Sequence, residues 1–197
     1  SVLMRIGVDK NQISGSHATS NAPKHRQMTK AGASLEPLRL PYGDYILIDD
    51  DVQSVLSTKP EPRKKDLIGH IKRSIDTKKD IPELWMDVTS DHERFKAELI
   101  KAKQDGAEFI VLIEDASVEC LEDVFFYHRP EVVRSRYVRN KSGRLPAYIK
   151  VEHKQREIKG ESLYRCMQTM SIRYGVRFEF CTRRAAGKRI MELLNDG

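Results

Sequence analysis

Cysteine is scarce and irregularly placed in this sequence. Cys120, Cys166 and Cys181 are an odd number at wide spacings. That excludes a disulfide framework and lacks the paired spacing of a zinc site, so the expectation is buried free thiols in a reducing compartment. Long apolar runs are also missing: none approaches the roughly 20 residues needed to cross a bilayer, and the N-terminus carries no signal-peptide apolar stretch. No membrane partner is expected, and the chain is placed in a bacterial cytoplasm or that of a phage-infected host. Ser1–Leu3, ahead of Met4, read as an expression remnant. No internal repeat or low-complexity tract occurs, which excludes solenoids and fibrous arrays. His92 and His153 have no partner at metal-ligand spacing and read as surface residues.

What is present is charge. Hydrophobic residues make up 39% and charged residues 32% of the 197 positions, enough for one soluble domain with a substantial core. The net charge of +6 is unevenly spread. Between Arg129 and Lys159 stand ten Lys or Arg against three Glu, so a surplus of seven positive charges sits there and the remainder is close to neutral. Such a stretch is the footprint of a phosphate-backbone contact or, alternatively, of a solvated mobile loop. Tyr137 and Tyr148 lie among its cations and offer faces on which unpaired bases stack.

The informative motif is Asp76-Thr77-Lys78, preceded in the chain by Gly43-Asp44-Tyr45. Side chains alternate faces along a strand, so Asp76 and Lys78 project together and Thr77 the other way. Two carboxylates at the ends of neighbouring strands offer hard oxygens to Mg²⁺ or Mn²⁺, which keeps several waters and accepts a substrate phosphate. The Lys78 ammonium then acts as a point charge beside the phosphate or the attacking water. The alternatives are an exposed ion pair for Asp76 and Lys78, worth little, and turn-capping roles for Asp44 and Asp9.

Coarse periodicity places a first strand at Met4–Val8, ending at Asp9, a second at Asp44–Ile48 and a third around Ser74–Ile75. Residues 11–34 lack apolar periodicity and read as a mobile loop or weak helix near Lys24–Ala31. Residues 49–73 read as an exposed insertion, with a helix at Asp66–Lys72. Asp80-Ile-Pro-Glu83 has the cap, first-turn proline and acidic third position of a helix start. A second start at Asp91 leads into Phe95, Leu99 and Ala102 at helical spacing. Phe109–Ile113 is apolar throughout and too short for a helix, hence a buried strand. A helix at Gly160–Arg173 with Leu163, Met167 and Met170 inward, a strand at Val176–Cys181 and a helix at Thr182–Asn195 complete a layered α/β domain with a mixed sheet. Trp85 is expected between helix and sheet.

In this order, Leu40-Pro-Tyr-Gly-Asp-Tyr45, Ser74-Ile-Asp-Thr-Lys-Lys-Asp80, Asp91-His-Glu-Arg-Phe95 and Phe109-Ile-Val-Leu-Ile-Glu114 resemble the nuclease domain of the XPF family, a branch of the restriction-endonuclease-like PD-(D/E)xK superfamily. Thr169-Met170, Arg173-Tyr-Gly-Val-Arg-Phe-Glu-Phe-Cys181 and Gly187-Lys188 resemble its small phage-type members. The resemblance implies a single nuclease domain over residues 1–197, with a restriction-endonuclease-like mixed sheet flanked by helices and no tandem helix-hairpin-helix unit. It implies a Mg²⁺- or Mn²⁺-dependent DNA endonuclease selective for forks, flaps or branches, and leaves a homodimer open. Asp44 and Asp76 fall on metal ligands, the Thr77 carbonyl and Asp9 on further ones, and Lys78 on the catalytic lysine. Arg94 matches a phosphate contact. Lys79, Arg134, Arg136, Arg139, Lys141 and Arg144 are the expected DNA-binding cations. The acidic residue beyond the lysine falls on Asp80 or Glu83, and Glu114 is a lesser choice for the metal shell. Glu98 stands where the family often has Gln. The chain departs from the family after its first strand: Asp9-Lys10-Asn11-Gln12 replaces Asp-x-Arg-Glu. That loss leaves a second reading open, a catalytically weak relative that binds DNA or a protein.

Overall fold

The computed structural model describes residues 4–196; Ser1–Leu3 and their reading as a remnant lie outside the described residues. The chain runs β1 (Met4–Asp9), α1 (Gly15–Lys30), β2 (Ala33–Leu38), β3 (Tyr45–Leu47), α2 (Asp50–Thr58), α3 (Lys64–Leu67), β4 (Arg73–Lys78), α4 (Ile81–Val88), α5 (His92–Gln104) and β5 (Glu108–Ile113). It continues with α6 (Leu121–Phe125), β6 (His128–Arg129), β7 (Val132–Arg139), β8 (Tyr148–Gln155), β9 (Ile158–Lys159), α7 (Gly160–Tyr174), β10 (Arg177–Phe180) and α8 (Ala186–Asn195).

Six strands form the central sheet in the order β10-β5-β4-β3-β1-β2. β3 runs antiparallel to both β1 and β4, while β4, β5 and β10 are parallel, so the sheet is mixed as expected. Alternation along the strands divides the core in two. Ile6, Val8, Tyr45, Ile75, Ile110 and Leu112 pack with Met28 of α1 and Ile190 and Leu193 of α8 on one face. Ile46, Phe109, Val111 and Ile113 pack with α4, α5 and α7 on the other, where Phe95, Leu99, Leu163, Met167 and Met170 are buried as their spacing predicts. Asp80 caps α4, its carboxylate accepting the Glu83 N–H at 2.9 Å.

Three expectations fail, each for a physical reason. Residues 11–34 are not a mobile loop: the helix expected near Lys24–Ala31 is present but starts at Gly15, a 3-10 turn at Lys10–Ile13 leading into the 16-residue α1 and then β2. The buried positions of α1 are Asn21, Lys24 and Met28, so its inward stripe is mostly polar and no apolar period is visible. Pro23 inside the helix forfeits one backbone hydrogen bond and reads as a breaker. The helix is held by α8, whose Gly187 is so close that an added Cβ would meet the Gln27 side-chain oxygen at 2.6 Å and the Lys24 carbonyl at 2.8 Å. Residues 49–73 are not an exposed excursion either, because Val52, Val55, Leu67 and Ile71 are buried against the core. The expected helix there lies earlier, at Lys64–Leu67.

The thiols are the third failure: Cys120 and Cys166 are exposed and Cys181 is half-buried, all three free. Cys166 shares α7 with the buried methionines but sits on the helix's outer side. Trp85 is half-buried and packs at the edge of the core. The basic segment folds as an antiparallel hairpin of β7 and β8, with Val132 opposite Gln155 and Arg139 opposite Tyr148. Most of its residues are exposed on both faces. At about 3.4 Å per residue, its arms extend for roughly 27 Å. No described helix is long and apolar enough to cross a membrane.

Candidate active site

Asp44 enters β3 through a turn that only glycine accommodates. Gly43 has φ +73°, and a Cβ there would meet the Ser74 hydroxyl oxygen at 1.9 Å and the Ile75 carbonyl at 3.3 Å. Backbone bonds then tie the turn to both neighbours: Asp44 N donates to Ile75 O, and Asp9 N donates to Asp44 O, each at 2.8 Å. The Asp44 carboxylate accepts three hydrogen bonds, which leaves one lone pair on Oδ1. Oδ2 accepts the Thr77 N–H at 2.8 Å and the Thr77 hydroxyl at 3.0 Å, and Oδ1 accepts Gln12 Nε2 at 3.0 Å. Gln12 is in turn oriented by Asn21 Nδ2, which donates to its side-chain and main-chain oxygens at 3.0 Å.

Asp76 and Lys78 lie on the α4–α5 face of β4, both buried, as strand alternation requires. Lys78 Nζ is 2.7 Å from Asp76 Oδ2 and 2.5 Å from Asp87 Oδ2 of α4, and stands 5.4 Å from the Phe95 ring centre. The buried Asp76 Oδ2 has the Lys78 ammonium as its ion-pair partner and no other donor among the described residues. Glu98 of α5 accepts the Gly43 N–H at 2.7 Å. These groups line a cavity of about 420 Å³ that is open to solvent, with Asp9, Gln12, Glu83 and Arg94 also on its walls.

The electrostatics are those of crowded acids. Burial, and then the Asp76 charge, hold Asp44 well above the usual carboxylate range, against the opposing Thr77 N–H. Burial and Asp76 likewise push Glu98 up to about 7. Burial also raises Glu83, opposed by Lys78 and Lys79. Burial works to lower Lys78, but the carboxylates of Asp76 and Asp87 outweigh it, and the ammonium is held above its ordinary value.

The structure therefore brings Asp44, Asp76, Thr77 and Lys78 together. A residue's N–H and C=O point to the same side of a strand, so the Thr77 carbonyl faces the Asp44 side. Asp9 borders the cavity, but its oxygens accept the Leu40 N–H at 3.0 Å and the Asn11 N–H at 3.2 Å, which makes it the holder of the turn. Arg94 and Lys79 are exposed, Arg94 on the wall of this cavity. Arg134, Arg136, Arg139, Lys141 and Arg144 stand apart on the hairpin and its turn. Glu114 faces away, paired with Lys24 of α1 on the opposite face of the sheet. Sequence reasoning misses Asp87, Gln12 and the contact made by Glu98. Asp87 follows Lys78 by nine positions across a helix start, a separation that carries no local pattern.

The set fits a hard divalent ion. Among the described residues no group of three or more His, Cys, Asp or Glu is arranged to hold a metal. Two carboxylates with a strand carbonyl are instead the partial set that Mg²⁺ or Mn²⁺ completes with waters and a phosphate oxygen. The crowding of Asp44, Asp76 and Glu98 is the observation that favours it, because a bound cation offsets the repulsion that, with burial, raises Asp44 and Glu98.

No family model and no curated protein matches the chain. Solved structures do. "XPF from Aeropyrum pernix" is similar over 97% of this chain and 63% of its own, with a TM-score of 0.54 and 14% identity. The same protein in "complex with DNA" is similar over 98% of this chain and 64% of its own, with the same TM-score and identity. The chain thus spans less than two thirds of the length of those structures. At that identity the likeness speaks for architecture, and the conclusion is that this chain has an XPF-like fold, a six-stranded mixed sheet between helical layers.

Proposed function

We propose that the chain is a metal-dependent DNA endonuclease whose catalytic group is Asp44, Asp76 and Lys78. The observation that carries this is the convergence of two crowded carboxylates and one doubly paired lysine in a solvent-open cavity. The fold shared with XPF from Aeropyrum pernix, one of whose structures holds DNA, supports it. Asp44, Asp76 and the Thr77 carbonyl would hold Mg²⁺ or Mn²⁺. Once bound, the ion supplies polarisation of the phosphate and a more acidic water.

The protein's own residues do the rest. Thr77 and Gln12 fix the rotamer of Asp44 from both sides. Asp87 holds Lys78 in place, and the Lys78 ammonium offsets charge that builds on the phosphate oxygens as the bond is attacked. Arg94 and Lys79 meet flanking phosphates. Lys79 and Glu83 also line a groove of about 760 Å³ that passes Trp85 and Met86 to the root of the hairpin at His153–Gln155. DNA leaving the carboxylates along that groove reaches Arg134, Arg136 and Arg139. These three exposed side chains can neutralise phosphates, the source of sequence-independent affinity.

The test is cleavage of a panel of duplex, single-stranded, fork and flap DNAs with Mg²⁺ or Mn²⁺ and with chelator. Metal-dependent products that disappear in Asp44→Ala and Asp76→Ala are expected. Full cleavage in either variant, or in chelator, overturns the assignment. A second reading, a DNA-binding relative with weak catalysis, is favoured by Gln12. It places an amide donor on Asp44 where the family pattern has an acid. Tight binding without product on every substrate and with either metal selects it.

A further inference from the structure

A second cavity, of about 430 Å³, lies beside the carboxylates on the α1 side of the sheet. It is contiguous with the first, since Gln12, Thr77 and Glu83 line both. Its distinctive feature is the buried pair of Lys24 and Glu114, 2.9 Å apart with each side chain 6% exposed. Lys24 Nζ satisfies Glu114 Oε2. Glu114 Oε1 is also buried and has no donor among the described residues. Buried polar side-chain atoms are nearly always hydrogen-bonded, so a partnerless carboxylate oxygen beside a cavity calls for an N–H from something that enters it. The volume is that of a small-molecule site, which spans roughly 300–1,000 Å³. Exposed Lys79 and Arg183 stand on its walls as cations, with the rings of His17 and Pro23 alongside.

We infer that this cavity receives one unpaired nucleobase bearing an exocyclic amino group, from the strand held at the carboxylates, with its N–H donated to Glu114 Oε1. The inference rests on the nuclease reading and adds to it a reason for selecting DNA with unpaired nucleotides. Lys24 fixes the carboxylate in one orientation, and Lys79 and Arg183 take the phosphates on either side of the extruded base. A base that is already unpaired pays little to enter, whereas one in a duplex must first be unstacked. The cavity therefore discriminates by strand structure before any base edge is read.

The experiment places 2-aminopurine, which carries the amino group, singly at successive unpaired and paired positions of a flap DNA. Its fluorescence is read with the full chain in EDTA, where no strand is cut, and binding is followed separately by anisotropy. The expected result is a distinct change at one unpaired position, and a roughly tenfold loss of affinity when that nucleotide is abasic. Two variants should abolish the positional signal. Ser20→Trp fills the cavity from an exposed helical position whose hydroxyl bonds only the His17 carbonyl. Lys24→Met with Glu114→Met removes the acceptor without leaving a lone buried charge, and circular dichroism verifies that both variants fold. DNA binding with a uniform response, or a positional signal that survives in folded Ser20→Trp and in the folded double variant, overturns the assignment. Absence of any anisotropy change at low salt overturns the DNA reading and the cavity with it, so the two failures are told apart.

Discussion

Consider replacing Asp44 with asparagine and measuring stability rather than cleavage. In Asp44→Asn the side-chain carbonyl oxygen can still accept the Thr77 N–H and hydroxyl that Asp44 Oδ2 now accepts. The new amide nitrogen would face Gln12 Nε2, so the Gln12 amide must turn over. Asn21 then keeps its bond to the Gln12 main-chain oxygen and loses the one to the side-chain oxygen. The structural cost is one exchanged hydrogen bond, about 1 kcal/mol. Against it stands removal of a buried carboxylate that both burial and the Asp76 charge disfavour. The relief should exceed the loss and raise Tm, each kcal/mol of net gain being worth roughly 2–4 °C for a domain of this size. That rise should appear in EDTA. With Mg²⁺ at about ten times its dissociation constant, the wild type should gain about 1.4 kcal/mol and the variant almost nothing. Thermal denaturation of both proteins, with and without the metal, therefore gives a crossing pattern. A lower Tm for Asp44→Asn in EDTA, or an equal response of both proteins to Mg²⁺, would refute the view that Asp44 is a metal ligand held at a cost in stability.

Further outcomes follow from the same cluster and from the hairpin. Asp44 and Glu98 both bind protons more readily in the folded state, Glu98 with a value of about 7. Acids shifted upward destabilise the fold as pH rises from the ordinary carboxylate value through the folded one, so Tm in EDTA should fall between about pH 5 and pH 8. A flat or rising profile would contradict the placement of these acids. Asp87→Asn should lower kcat by about 10- to 100-fold with KM little changed, because it frees the lysine without touching DNA; an unaltered kcat would leave Asp87 a purely structural partner. Lys78→Met leaves Asp76 and Asp87 facing each other in a buried site and should destabilise the protein by about 3–5 kcal/mol in chemical denaturation. Changing Arg134, Arg136 and Arg139 together to Gln should reduce the slope of log affinity against log salt by about 2.7, with Tm unchanged because those side chains are exposed. An unchanged slope would make the hairpin a bystander.

The parts of this fold legible in the sequence are those where local pattern and tertiary role agree. Phe109–Ile113 is buried on both faces and reads so. Asp80-Ile-Pro-Glu83 caps a helix with its own side chain, and Leu163, Met167 and Met170 repeat at helical spacing toward the core. Asp44, Asp76 and Lys78 are also legible, since strand alternation alone puts the latter pair on one face. Their partners are not. Asp87 reaches Lys78 from a helix that folds back on β4, and Glu98 reaches Gly43 across 55 positions of sequence. The hairpin is hidden because neither of its faces is buried against a core, so no apolar alternation marks it. Its pairing is carried by backbone bonds to which the side-chain pattern is indifferent.

The least legible element, α1, is the one that connects the two cavities. Its inward positions carry Asn21 and Lys24, of which Asn21 orients the Gln12 amide on Asp44 and Lys24 pairs with Glu114. An apolar stripe there would have announced the helix and removed both contacts. Natural sequences break the rules of local consistency mostly where function demands it, and here the break spans a whole helical face rather than a single residue. This implies that α1 is held mainly by Met28, the one apolar residue of that face, and by the close approach of α8 at Gly187. Gly187→Val should therefore loosen α1, since its larger side chain would collide with Gln27 and the Lys24 carbonyl. Hydrogen exchange should show faster exchange across residues 15–30 while the α5 and α7 amides stay protected. Uniform loss of protection throughout the sheet would show instead that the polar helix and the core are one cooperative unit, and that its inward polar face is no separate functional layer.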